Sequence, residues 1–204
     1  MRTSTYACAA VFSLSLSTAA AARMAAPGTS DQGPDFKVQI WGETVADFNT
    51  RVQDYYALRR GLERGLPPLV LTDDPDDIIT AEVTLARAIR RARTTAREGN
   101  IFTPEISAAF RNVLLPVMTG QTLAVVMDEN PGRFSHRIDS TYPKEKPRAT
   151  IPWTILSVLP PLPDDMQYGF VGRYLILHDI RANVIVDRTC AIKCKPTDRE
   201  PHDR

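Results

Sequence analysis

Apolar residues recur every three or four positions in three long segments of the chain, the spacing that places them on one face of an α-helix. This pattern predicts three main helices, at about 44–64, 75–98 and 104–118. Polar and charged residues fill the intervening positions, so each helix should bury one stripe and expose the other side. Amphipathic helices of this kind need a shared core.

The amino ends of the predicted second and third helices carry residues that commonly start a helix. Pro75 and Pro104 suit the first helical position, where the missing N–H costs nothing. Asp73 or Asp74 can cap the second helix, and Thr103 can cap the third. The sequence therefore predicts both starting points closely.

Toward the end of the chain, the pattern changes to short apolar runs separated by turn residues. Gly172-Arg173 fits a two-residue hairpin turn with glycine first. Asn183 tolerates the positive φ that a second turn requires. Residues 167–188 are therefore predicted to form a small antiparallel β-meander of three strands, which is stable only when one face packs on the helices.

The stretch between the third helix and the meander gives weaker signals. We predict a short apolar strand at 123–127, a turn at 130–132 followed by a weaker strand, and a short helix near 151–159. With the helices and the meander, these elements indicate an α+β fold in a single domain spanning 39–190.

The amino-terminal segment has a basic start, a short apolar run and a tract of small residues, the order found in secretory signal peptides. Cleavage is predicted after residue 22 or 26, giving a signal peptide of 1–22 or 1–26. A flexible lead-in at 27–38 follows, and 191–204 form a carboxy-terminal tail. The alternatives are a cytosolic chain with an alanine-rich start and a lipoprotein attached through Cys8. No transmembrane segment is predicted in the mature chain, so the protein is expected to be exported, periplasmic or extracellular.

The charge balance bears on the partners of the protein. The chain carries 25 basic and 24 acidic residues, a net charge of +1. Such a balance provides no general attraction to nucleic acid or to anionic lipid. Nucleic acid is therefore excluded as a predicted partner.

Two cysteines remain once the signal peptide is removed, Cys190 and Cys194. Export makes a disulfide between them the favoured interpretation, although free thiols and a metal or redox role stay open. A loop this short gains little closure entropy, so a bridge would hold a local turn and would not staple the domain.

Catalytic and metal-binding motifs are sparse. None of the three histidines, His136, His178 and His202, lies in a known catalytic motif. His178 and Asp179 are neighbours on a strand and should point to opposite faces, so we predict a half-buried histidine at a strand end. The acidic run at 73–77 lacks the spacing of a calcium loop and is interpreted as a helix cap. No metal site and no cofactor is predicted.

Arginines at the end of the second helix form a basic group. Arg90, Arg91 and Arg97 are candidates for an anionic partner such as an envelope polymer or an outer-membrane lipid. The alternative is a solvated helix end, where cations are favoured by the helix dipole.

The segments "LPPLPDDMQYGFVGRYLILHDIRANVIVD" and "NIFTPEISAAF" resemble an uncharacterised family of exported bacterial proteins. That family shows a proline-rich approach, an aromatic strand, Val-Gly, a second apolar strand and a final "IVD". The matching residues are Leu162, Pro163, Tyr168, Phe170, Val171, Gly172, Arg173, Asp179, Ala182, Asn183 and Asp187.

A local likeness of about thirty residues also links the hairpin to periplasmic domains of the nickel/cobalt-homeostasis (RcnB-like) type. Their metal role depends on histidine-rich surroundings, which this chain lacks. The family likeness implies export and the β-meander, but no activity and no catalytic residue.

These observations favour a non-enzymatic binding or scaffolding module of the periplasm or the secreted fraction, although enzymatic activity stays open. The alternative is an envelope hydrolase that uses acidic residues near the meander, namely Asp164, Asp165, Asp179 and Asp187. Asp179 and Asp187 are the first candidates, as functional acids or as turn residues. The binding partner is not named by the sequence.

Overall fold

The computed structural model describes residues 34–67, 73–128, 130–132 and 134–194. The predicted signal peptide lies outside these residues, as does most of the predicted tail. Within them the chain forms an α+β fold, as predicted. No helix in these ranges is long and apolar enough to cross a membrane.

Five helices lie in the described parts of the chain. They are α1 (Pro34–Arg64), α2 (Pro75–Ala92), α3 (Pro104–Leu114), α4 (Gly120–Asp128) and α5 (Trp153–Leu156). The side chain of Asp74 accepts a hydrogen bond from the Asp76 N–H, and that of Thr103 accepts one from the Ile106 N–H. The predicted starts of α2 and α3 are therefore confirmed, with Asp74 as the cap of α2.

Three boundaries of the main helices differ from the predictions, and the short helix predicted near 151–159 is reduced to α5 at Trp153–Leu156. Helix α1 begins at Pro34, so part of the predicted lead-in is helical; its first residues, PDFKVQI, alternate apolar and polar side chains and give no helical period. Helix α2 ends at Ala92 and not near 98, because the main chain at 99–102 turns to bind Asp187. Helix α3 ends at Leu114, since Pro116 has no N–H to continue it.

The predicted strand at 123–127 is wrong. These residues belong to helix α4, which starts with the Leu123 N–H donating to the Thr119 carbonyl at 2.8 Å. A five-residue apolar run fits either a strand or a buried helix, so its pattern could not separate the two. The weaker strand expected after 132 is reduced to one isolated bridge, between Thr141 and Val184.

The β-meander is confirmed as an antiparallel sheet of β1 (Met166–Val171), β2 (Tyr174–Asp179) and β3 (Val184–Cys190), in that order. Gly172 has φ 57° in the two-residue turn, and Asn183 has φ 51° in the second turn. Both angles lie in the left-handed region that glycine and asparagine tolerate best.

A β-bulge interrupts the pairing of β2 with β3. Leu177 pairs with Asp187 and His178 pairs with Ile185, so Val186 is the extra residue between them. A bulge changes which face the following side chains occupy. As a result, Asp187 lies on the same face of the sheet as Leu177.

The two faces of the sheet pack differently. One face, which includes Leu175 and Leu177, joins the main core with α1, α2 and α3. The opposite face carries a smaller cluster of Val171, Ile176 and Ile185, covered by residues of the 134–142 segment. The smaller cluster leaves part of this second face open along β1.

Candidate functional site

A groove of about 680 Å³ runs along β1 on the second face of the sheet. Five consecutive residues of the strand, Met166–Phe170, line one side of it. The opposite wall is formed by α5 and the flanking segments 148–151 and 159–162. Tyr142 and two residues of β2, Ile176 and His178, complete the lining, so the groove exists only in the folded protein.

The rim of the groove exposes a large aromatic side chain. Trp153 is 77% exposed at the first position of α5, and Leu156 on the next turn is 39% exposed. An exposed tryptophan beside an apolar groove is typical of a binding surface, because its ring offers a large contact area. Trp153 is therefore the strongest single indication of a ligand site.

Gly169 and the side chain of Ile176 form the apolar floor of the groove. The two residues pair across β1 and β2. A Cβ on residue 169 would lie 3.2 Å from Cγ1 of Ile176, closer than side chains normally pack. The missing side chain lets Ile176 fill the floor and keeps the groove open above it.

A buried histidine forms the polar part of the floor. The Gln167 Nε2 donates to His178 Nδ1 at 3.2 Å, and His178 Nε2 lies 3.0 Å from Asn183 Oδ1. The Asn183 amide nitrogen donates to Glu82 and to the Tyr142 carbonyl, so its oxygen must accept from His178. The ring is therefore neutral, with its proton on Nε2, and it is fully buried, whereas a half-buried ring was predicted.

Acid is expected to destabilise the protein through His178. Burial lowers the pKa of His178 to about 4, against an ordinary value of 6.5. His178 therefore binds a proton more readily in the unfolded chain than in the folded protein. The contribution of the neutral ring to the free energy of unfolding is complete above pH 6.5 and is lost as the pH falls toward 4. Relative to His178→Gln, the wild-type free energy of unfolding should fall by about 3 kcal/mol between about pH 7 and pH 4.

Urea denaturation of both proteins across this pH range measures the difference. Asp139, Asp179 and Asp187 also have raised pKa values, but they are common to the two proteins and cancel. Glu82 and Arg148, the charged groups that act on His178, are likewise unchanged. Parallel pH curves would contradict the assignment of a neutral buried ring.

One cationic side chain lies at the mouth of the groove. The guanidinium of Arg148 is 6.0 Å from the centre of the Tyr142 ring, and both residues line the groove. The Tyr142 hydroxyl donates to the Pro147 carbonyl at 2.6 Å, which fixes the chain beside Arg148. Arg148 is the only charged residue among the described lining residues.

A second cavity, of about 970 Å³, lies between the end of α1 and the start of α2. Its charged groups are of both signs, and Glu63 accepts from Arg181 at 3.0 Å and from Arg59 at 3.3 Å. Its walls are thus mainly charged and partly paired with one another, whereas the first groove is mainly apolar with one cation.

Asp187 is buried and receives main-chain hydrogen bonds. Its Oδ2 accepts from the N–H groups of Ile101 and Phe102 at 2.6 and 2.8 Å. Its Oδ1 accepts from Gly99 at 3.1 Å and from Arg188 at 2.8 Å. Burial raises the pKa of Asp187, while these N–H groups act in the opposite direction. The residue fixes the α2–α3 connection to the sheet.

Asp179 is also buried and joins α1 to the sheet. Its Oδ2 accepts from the Tyr55 hydroxyl at 2.8 Å and lies 3.5 Å from Nε of Arg59, whose side chain is fully buried. Its Oδ1 accepts from the Ala182 N–H, so it also supports the turn. Burial raises the pKa of Asp179. Neither Asp179 nor Asp187 lines either of the two cavities described above.

The other acids of the hydrolase alternative lie elsewhere. Asp164 and Asp165 are exposed in the loop before β1, and Asp165 lies 3.4 Å from Nη1 of Arg59. Asp165 and Asp179 thus converge on one buried guanidinium. Asp165 lines the second cavity, between α1 and α2.

The candidate arginines do not act as one group. Arg90 donates to the Asp139 carbonyl at 3.1 Å, and the neighbouring Arg93 forms an ion pair with the Asp139 carboxylate. Arg91 and Arg97 are exposed, and Arg97 lies beyond the end of α2. The end of this helix therefore holds the 134–142 segment through Arg90 and Arg93.

Cys190 and Cys194 lie at disulfide-bonding distance, which is compatible with an exported protein. The pair closes a short loop at the end of β3, held by Arg173 in the first hairpin turn. No cluster of three or more histidine, cysteine or acidic side chains with metal-site geometry occurs among the described residues.

The main residues of the groove were not singled out from the sequence. Trp153 stood in the predicted short helix, and Gln167 and Gly169 stood in the predicted meander, without a functional assignment. An aromatic residue following Pro152 was the available signal, but its exposure depends on tertiary packing.

Comparisons with protein-family models, curated proteins and solved structures found no match to this chain. The resemblance of the carboxy-terminal segment to exported bacterial proteins stays a prediction. Function therefore has to be argued from the groove and from the contacts around it.

Proposed function

We propose that this protein is an exported, non-enzymatic module that binds a component of the cell envelope in the groove between β1 and α5. The observation that carries the proposal is the exposed Trp153 ring at the rim of an apolar groove. Grooves with mostly apolar walls and a few placed polar groups are the usual form of ligand sites.

The chemistry of the groove supports binding. Its described lining residues include one cation, Arg148, and no carboxylate. Both nitrogens of the histidine in its floor are already engaged by Gln167 and Asn183. A general acid or base needs a group that can exchange a proton with the ligand, and these contacts hold the ring in one neutral form.

The location of the acids also favours binding over hydrolysis. Asp179 and Asp187 accept hydrogen bonds from their own chain and face the main core. A glycoside hydrolase needs two carboxyl groups that flank a bound substrate. The hydrolase alternative would therefore require these buried groups to become accessible.

Fluorescence of Trp153 offers a direct test. The chain has two tryptophans, and Trp41 packs on Phe110 away from the groove. In a Trp41→Phe variant, Trp153 is the remaining reporter. We expect a saturable change in its emission on titration with one of four envelope preparations: peptidoglycan fragments, lipopolysaccharide, anionic phospholipid vesicles, or peptides from digested envelope proteins.

The preparation that changes the emission is then titrated into two variants, and its binding to each is measured by calorimetry. Trp153→Ala should abolish binding, whereas Leu115→Ala, which removes another exposed apolar side chain outside the groove, should leave it unchanged. Absence of any saturable response, or recovery of the ligand as cleavage products, would overturn the proposal.

A further inference from the structure

The outer edge of β1 has main-chain groups directed toward the groove. β1 is an edge strand, and its two-residue turn makes Val171 and Tyr174 the closing hydrogen-bonded pair. In an antiparallel pair every second residue bonds to the neighbouring strand, so Gly169 and Gln167 bond to β2. The N–H and C=O groups of Tyr168 and Phe170 therefore point outward.

No main-chain hydrogen bond from another described segment reaches these outward groups. Unpaired edges of this kind are templates for a further strand. Tyr168 and Phe170 belong to the main core, so packing holds this part of β1 in the extended conformation.

At the end of the same edge, the main chain of Gly172 already pairs with the side-chain carboxamide of Asn130. The Gly172 N–H donates to Asn130 Oδ1 at 2.9 Å, and Asn130 Nδ2 donates to the Gly172 carbonyl at 2.9 Å. Gly172 is the next outward residue after Phe170 in the alternation. A carboxamide pairing with both groups is the arrangement that a neighbouring peptide unit would make.

The groove follows this edge, since all residues from Met166 to Phe170 line it. Pro160 and Pro161 stand in the opposite wall and have no N–H groups to donate to a strand. The six residues of β1 span roughly 20 Å, enough for a short extended segment to lie alongside.

We propose that the ligand is an extended peptide segment that adds to the outer edge of β1 as a fourth strand. Its main chain pairs with Tyr168 and Phe170, an apolar side chain packs against Trp153, and an acidic group lies near Arg148. This inference rests on the proposed function of the groove and names its ligand class.

Charge complementarity supports the acidic group. Arg148 is the charged residue that lines the groove. In the adjoining segment 143–148, Lys144 already pairs with Glu82 at 3.3 Å and Glu145 offsets Lys146, so Arg148 supplies the positive charge. Strand addition draws affinity from main-chain bonds and specificity from alternate side chains. Every second side chain of the peptide would therefore face the floor formed by Gly169 and Ile176.

The test uses a random library of 12-residue peptides displayed on phage, selected in parallel on the full-chain wild type and on Trp153→Ala. We expect wild-type-specific peptides that combine alternating apolar residues with an acidic residue. Arg148→Glu should weaken their binding by about tenfold or more, as expected when one charge contact is reversed. Arg137→Glu, an exposed cation that does not line the groove, is the matched control.

Two readouts separate strand addition from other binding modes. N-methylation of the selected peptide should lower affinity about tenfold at alternate positions and little between them, because one main-chain bond is lost each time. Hydrogen exchange should show new protection at the amides of Tyr168 and Phe170, with little change at Gly169.

Failure to select any peptide that depends on Trp153 would overturn the strand-addition proposal. A loss of affinity on N-methylation that shows no two-residue period along the peptide would also overturn it. The proposed binding function would still stand if another envelope preparation changed Trp153 emission. The two proposals therefore fail on different results.

Discussion

Asp187→Asn is expected to lower the free energy of unfolding by about 3–5 kcal/mol, although it keeps the size of the side chain. Each oxygen of Asp187 accepts two main-chain N–H groups, Gly99 and Arg188 on Oδ1 and Ile101 and Phe102 on Oδ2. An amide must turn its NH₂ toward one of these pairs, so two buried donors lose their acceptor and face another donor.

Guanidinium denaturation of the full chain measures this loss. Asp164→Asn is the matched control, because Asp164 is an exposed acid in the loop before β1 and should change stability by less than about 0.5 kcal/mol. An Asp187→Asn variant as stable as wild type would show that the carboxylate does not shape the α2–α3 connection.

The pair formed by Arg59 and Asp179 is expected to behave non-additively. Both side chains are fully buried, with Nε of Arg59 3.5 Å from Oδ2 of Asp179. Asp179→Asn leaves the guanidinium with Glu63 and Asp165 only, and Arg59→Met leaves the carboxylate without a cation. Arg59→Met should cost about 3–5 kcal/mol, because it leaves the buried Asp179 carboxylate without a cation. Asp179→Asn should cost less, because Glu63 and Asp165 still compensate the Arg59 guanidinium.

The double variant should lose less than the sum of the two single variants, by about 1–3 kcal/mol. Removing both charges leaves no buried ion without a partner, so the penalty is relieved. Denaturation of the four proteins at one pH gives this coupling energy. Strict additivity would mean that the two groups do not compensate each other in the folded protein.

Local sequence signals were sufficient for most elements of the fold. Asp74, Pro75, Thr103 and Pro104 marked the starts of α2 and α3 because capping is decided within a few residues. Gly172 predicted the first hairpin turn for the same reason. Helix α4 was missed because its short apolar run carries no period that distinguishes a helix from a strand.

The roles of the buried acids depend on distant partners. Asp179 was recognised as unusual in an apolar hairpin, but its partner Tyr55 lies 124 positions away. The groove could not be predicted for the same reason, because Trp153 and Gly169 line one groove only after α5 packs beside β1. Hydrophobic periodicity reports which face of an element is buried and does not report what covers it.

The hydrogen bonds of Asp187 also constrain the order in which the chain can fold. Three of its N–H donors, in residues 99–102, precede it by 85 to 88 positions. Contacts this distant in sequence form late, because the intervening chain must first be ordered. A chain that emerges amino end first therefore cannot complete the α2–α3 connection until β3 has emerged.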